Sequence, residues 1–180
     1  MSLPVIYSLL FYFACIGYTF LGFVVLIKDK CIERKITFLG ICFALGLWSF
    51  SFAIANSADN LETALLWRRI AVFGWGSMYC FMLHFIMILT DRCKGFRRSP
   101  LIIIIYLPAV ITVFFFALYE TTAINQSNLV FTSSGWINES KHNGLDQVFN
   151  IYYLVYSSFS LFLLLLSGLK QVGKKERRCC

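Results

Sequence analysis

Few side chains in this sequence could do chemistry, and they fall in three places. His84 is the only group with a near-neutral pKa inside a long apolar run. An ionisable residue within a membrane span is a functional candidate by default, here as a proton relay or a ligand contact. A neutral imidazole, however, needs only one donor and one acceptor partner, and His84 lies nearer one end of its run than the middle, so a satisfied structural histidine is the favoured reading. The second place is the connection holding Asp59, Glu62, Trp67, Arg68 and Arg69. It reads as a solvated helix end with ordinary ion pairs, worth little each, or as the lip of an external ligand site. The third is the polar stretch around Trp136, a contact for a ligand or for nearby helix ends. His142 is far from His84, with no carboxylate or cysteine at ligand spacing, so no metal site is expected. Phosphate-cradling loops, dinucleotide fingerprints, HExxH, CxxC and nucleophile elbows are absent, and no cofactor is expected.

The elements that must position these residues are apolar. The 180 residues are 59% hydrophobic and only 14% charged, with a mean hydropathy of +0.73. A soluble domain is usually about half apolar and a quarter charged. Five runs are long enough to cross a bilayer, at residues 3–27, 36–55, 70–90, 101–119 and 149–169. They are continuous rather than alternating, which predicts helices and not barrel strands. The first has no basic leader and no small-x-small cleavage site, so it reads as a retained span and not a signal peptide. The fold class is therefore an all-α, polytopic membrane bundle of five helices.

Charge sets the expected orientation. Of the Lys and Arg residues, 13 fall in the segments after the first, third and fifth runs, and 3 in the other two connections. The positive-inside rule puts the N-terminus outside and the C-terminus in the cytoplasm. The net charge of +7 is thus topological, suits anionic lipid and gives no reason to expect nucleic acid. Cys31, Cys93, Cys179 and Cys180 fall on the cytoplasmic side, open to lipidation, while Cys15, Cys42 and Cys80 fall within helices as small hydrophobes. Trp67, Tyr119, Tyr152 and Tyr153 are expected in an aromatic belt at the outer boundary.

Packing signals are also present. Gly40, Ala44, Ser51 and Ala55 repeat on one face of the second helix, which predicts an intramolecular seam. Gly74 and Gly76 mark the third helix, and Ser157, Ser160 and Ser167 the fifth. Pro108 should kink the fourth helix or free a carbonyl for a neighbour. Asn60-Leu-Glu-Thr-Ala64 reads as a capped start that carries the third helix beyond the membrane. The external loop, residues 120–148, is long and polar, and Leu129-Val-Phe131 followed by Ser-Gly predicts a small hairpin lid. It also holds two glycosylation sequons, at Asn125 and Asn138. Residues 170–180 form a basic cytoplasmic tail.

From Leu21 to about Arg178 the sequence resembles the N-terminal seven-transmembrane sensor region of bacterial and archaeal histidine kinases. The resemblance is carried by Leu47-Trp-Ser-Phe-Ser-Phe-Ala53, Ala64-Leu-Leu-Trp67-Arg-Arg-Ile70-Ala-Val-Phe-Gly74, Phe81-Met-Leu-His-Phe85 and Tyr106-Leu-Pro108-Ala-Val-Ile111. The Gly-bearing external loop and Tyr-rich fifth helix match as well. It implies a sensory input region for residues 1–178, non-enzymatic in itself, passing a conformational shift to a kinase or cyclase output domain. The family pattern has seven helices before the output domain; this chain stops after five, which implies a truncated input region without the catalytic part. Trp67, Arg68, Arg69, Trp136 and His84 are the candidate contacts for a ligand or signal. Beyond the lipid bilayer, the partners this reading allows are a membrane or cytoplasmic signalling protein, a second copy of the chain and an unknown small molecule. Two other readings remain: a small multi-spanning protein that regulates a membrane partner, and a transporter or channel subunit.

Overall fold

Without water to satisfy them, backbone N–H and C=O groups in lipid must pair within their own segment, and each apolar run folds accordingly as a helix. The computed structural model describes residues 3–90, 101–119, 129–138 and 144–176. The helices are α1 (Leu3–Lys28), α2 (Ile32–Asn56), α3 (Leu61–Leu89), α4 (Leu101–Val113) and α5 (Gly144–Glu176). A five-residue π turn, Phe114–Leu118, continues α4. Four helices are long and apolar enough to cross a membrane, and the fourth run gives a shorter apolar helix, Ile102–Leu118. At about 1.5 Å per residue its 17 residues sit at the short end of the spanning range. The chain is an all-α, multi-pass integral membrane protein.

The third helix is the hub, with α2, α4 and α5 all packed on it and α1 resting on α2. Close approach of α2 and α3 depends on small residues, as the seam predicted. Ala44, Ser51 and Ala55 are buried, and a Cβ on Gly40 would collide with the Phe81 ring. At Gly74 a Cβ would meet the Ala44 carbonyl and lie 2.7 Å from the Trp48 backbone nitrogen. The two backbones touch there, and nothing larger than glycine fits. Between α3, α4 and α5 the core is Cys80, Leu83, Ile86, Ile105, Ala109 and Leu163. By contrast α1 buries only Ser8 and Gly22, and presents Phe13, Ile16 and Phe20 outward, as a lipid-facing helix does.

Pro108 lies inside α4 and has no N–H to offer the Ile104 carbonyl. The Tyr156 hydroxyl on α5 lies 2.9 Å from the Ile105 carbonyl and 3.3 Å from that of Ile104, and donates there. A neighbouring helix thus reaches the site where the helical ladder is broken. Tyr152, expected in the boundary belt, is instead buried, and its hydroxyl donates to the Gly76 carbonyl at 3.1 Å. The bond to the α3 backbone turns a belt-type residue into a core one, while the missing Cβ at Gly76 makes room for Thr112 of α4.

Three helix ends carry polar devices. The Asn60 side chain caps α3 by accepting from the Thr63 N–H at 2.8 Å, so the helix starts well before the predicted span. At the opposite end of the bundle, Asp29 in the α1–α2 turn accepts from the Cys31 N–H and from Arg34, both at 2.9 Å. The Cys31 N–H first, and Arg34 second, hold its carboxyl below the usual carboxylate range. The hairpin forms as predicted: β1 (Leu129–Thr132) pairs antiparallel with β2 (Gly135–Asn138), Thr132 opposite Gly135. Cys93, Asn125, His142, Cys179 and Cys180 lie outside the described residues, as does the basic segment 91–100.

Candidate functional site

The hairpin docks on the ends of α2 and α3. Gly135 has φ +99°, a backbone conformation disfavoured for residues with a Cβ, and a Cβ there would lie 3.1 Å from the Asn56 carbonyl oxygen. The turn therefore presses directly against the end of α2. Trp136, next in the chain, sends its Nε1–H to the Ala58 carbonyl at 2.8 Å, and its ring meets Phe131 edge-on. Its own carbonyl accepts from the Arg68 guanidinium. Arg68 also donates to Asn56 Oδ1 at 3.1 Å and lies over the Phe52 ring, 3.9 Å from its centroid. One arginine of α3 thus ties α2 and the hairpin together.

Beneath this tie is a cleft of about 390 Å³, the size of a small-ligand site. Its polar rim is Arg68, Arg69, Asn138 of β2 and Asp146 at the start of α5. Its walls are apolar and aromatic, with Trp48 and Phe52 from α2, Trp75 and Tyr79 from α3, Phe116 from the π turn and Phe149 from α5. Trp48 meets Phe52 on one side of the wall, and Trp75, Tyr79, Phe116 and Phe149 form a connected cluster on the other. Trp75 meets Phe149 at 4.6 Å and Phe116 at 5.6 Å between centroids, both edge-to-face, the favoured geometry for ring pairs. Tyr79 carries the cluster on to Tyr152 and Tyr153. The π turn has a role here: its wider winding re-aims the residues that follow α4 and brings Phe116 onto Trp75.

The five sequence candidates separate in space. Arg68 and Arg69 line the cleft, and Trp136 clamps the hairpin above it through Arg68. Trp67 points elsewhere, packing edge-on against Phe50 at 5.6 Å, on the side where Phe50 also meets Tyr12 of α1. His84 lies deeper along α3, its Nδ1 3.0 Å from the Tyr106 hydroxyl of α4, and is not part of the cleft. The sequence reading missed Asp146, Asn138 and the aromatic walls. Asp146 did leave a signal, as a lone carboxylate just before the fifth apolar run, and Trp75 stands between the two glycines of α3. A second groove of about 430 Å³, between α1 and α2, carries no charged group.

An apolar bundle of spanning helices, with a ligand-sized cleft under a hairpin at one end, is the architecture of a multi-pass membrane protein. The sequence pattern of the N-terminal 7TM region of histidine kinase matches residues 9–178, and the chain belongs to that family. Comparison with curated proteins and with solved structures gave no match. In this family the region is a non-catalytic, membrane-embedded sensory input.

Proposed function

We propose that this chain senses a stimulus at the cleft beneath the hairpin and passes it through α5 to a histidine-kinase-type output on the cytoplasmic side. The observation that carries this reading is the origin of the cleft walls. They come from α2, α3, the π turn, the hairpin and α5 together, so occupancy must bias the arrangement of all five. Arg68 and Arg69 are the contacts on α3, and Trp136 acts by holding the lid. His84, bonded to Tyr106 across the α3–α4 contact, serves the transmission path and not the binding site. The fifth helix runs 33 residues without interruption, Gly144–Glu176, about 50 Å, and carries the cleft residue Asp146 in its first turn. By the charge rule, the hairpin end faces outward and the far end of α5 inward.

The test is a chimaera. Residues 9–178 replace the matching segment of an intact kinase of the family, and autophosphorylation is read in membrane vesicles. Arg69→Ala, Trp75→Leu and Trp136→Phe should each shift basal or stimulated output by several-fold. Lipid-facing controls such as Phe13→Leu and Phe20→Leu should leave it unchanged. Equal output from all five chimaeras would end the assignment of the cleft as the sensing site.

A further inference from the structure

Two of the residues lining the cleft, Arg68 and Trp48, hold a donor without an acceptor. Arg68 is a largely buried cation, and no carboxylate among the described residues pairs with it; its recorded partners are a side-chain amide, a backbone carbonyl and an aromatic ring. Its Nε–H is buried without an acceptor. Trp48, in the same wall, holds its Nε1–H in the same condition. A buried donor without an acceptor is costly, and a buried cation without a counter-charge more so. Both groups lack an acceptor and, among the described residues, Arg68 lacks a counter-charge as well. Among the described residues the lining has two guanidinium groups and one carboxylate, and the aromatic surface of Trp75 and Phe149 lies in the same cleft.

We propose that the cleft takes a small aromatic carboxylate, its oxygens meeting the Arg68 guanidinium and the Trp48 indole N–H and its ring lying against Trp75 and Phe149. The proposal rests on the reading of the cleft as the sensing site and adds the class of ligand. A carboxylate offers two oxygens in one plane, which suits a guanidinium fork. The rim arginines also favour arrival of an anion over a cation. Because both donors are shielded from solvent, the acceptor reaches them only as the packing of α2 on the hairpin loosens. Binding and movement of the lid are then one event.

The experiment uses the full chain in nanodiscs of zwitterionic phosphatidylcholine, titrated with phenylacetate, with its neutral isostere phenylacetamide and with benzylammonium. Tryptophan emission, excited where the phenyl ring does not absorb, reports binding, and the melting temperature reports linkage to stability. Phenylacetate should bind saturably and raise the melting temperature. Phenylacetamide should bind at least ten-fold more weakly, and benzylammonium should not bind. Trp48→Phe, which keeps an aromatic ring and removes the donor, should weaken phenylacetate several-fold. Asp146→Asn should tighten phenylacetate about three-fold. Equal affinity for acid and amide, a preference for the ammonium, or no saturable response to any of the three would overturn the proposal. The sensory assignment would still be judged separately, by chimaera phosphorylation.

Discussion

The indole N–H of Trp136 donates to the carbonyl of Ala58 at 2.8 Å, joining two residues 78 positions apart. Ala58 lies in the turn between α2 and α3, so this bond and the Arg68 contact to the Trp136 carbonyl pin the hairpin from two sides. Trp136→Phe keeps an aromatic ring, smaller than the indole, beside Phe131 and removes the donor. Such a bond contributes about 1 kcal/mol. Hydrogen exchange in nanodiscs should show faster exchange of the hairpin amides, by roughly five-fold, with the helices unchanged. Uniform acceleration through the whole chain would mean that the hairpin does not move as a separate unit.

Backbone contact between α2 and α3 makes Gly74 the least replaceable position in the bundle. Gly74→Ala forces a carbon against the Ala44 carbonyl and the Trp48 nitrogen, and overpacking of this kind costs about 1–3 kcal/mol. Ala44→Phe attacks the same contact from α2 and should be worse. At Gly46 nothing lies within 4 Å of an added Cβ, so Gly46→Ala should be neutral or stabilising by up to about 1 kcal/mol. Detergent size-exclusion profiles and melting temperatures of the three variants give the ranking. A well-behaved Ala44→Phe protein would rule out the seam.

The broken ladder at Pro108 gives a double-mutant cycle. Tyr156→Phe should cost about 0.5–1.5 kcal/mol by removing the hydroxyl from the Ile104 and Ile105 carbonyls. Pro108→Ala restores an N–H to the Ile104 carbonyl. In that background the cost of Tyr156→Phe should shrink, leaving a coupling of at least about 0.5 kcal/mol between the two sites. Strict additivity in unfolding measurements would show that the hydroxyl does not serve the carbonyl freed by proline.

Asp29 sets a pH dependence on the α1–α2 turn. Its carboxyl is held below the ordinary value of 3.8 by the Cys31 N–H and then by Arg34. A depressed acid stabilises the folded turn above its ordinary pKa, and the contribution fades as pH falls through the lower, folded value. The melting-temperature difference between wild type and Asp29→Asn should be constant from pH 5 to 7 and shrink as the pH falls below 3.8. A difference that grows on acidification would contradict the assignment.

Much of this architecture is written in short-range sequence. The apolar runs declare themselves because lipid demands about 20 uncharged residues at a stretch. The α2 seam is visible because small residues recur at helical spacing, and the hairpin because Leu129-Val-Phe131 meets a Ser-Gly turn. The Asn60 cap follows from the side chain alone. The cleft was only half legible. Arg68 and Arg69 stand out as charges beside an apolar run, but Trp75, Tyr79 and Phe149 are aromatic residues in aromatic-rich helices and look no different from their neighbours. Tyr152 shows why: membrane boundaries and membrane cores draw on the same residue types, and only the Gly76 carbonyl, 76 positions away, decides between them. The π turn after α4 has no compositional mark, yet it supplies Phe116 to the cleft wall.

The uninterrupted fifth helix limits the kind of movement it can carry. Asp146 and Lys170 are consecutive charges along it, 24 residues or about 36 Å apart, against a hydrocarbon thickness of about 30 Å. In the sequence they bound the apolar stretch of the helix. Sliding by one turn, about 5.4 Å, would draw one of them to the edge of the hydrocarbon, where charge becomes costly. Rotation about the axis, or a change of tilt, moves neither charge out of water. A message arriving at the cleft would therefore leave the far side of the membrane as a twist or a lean, and not as a piston stroke.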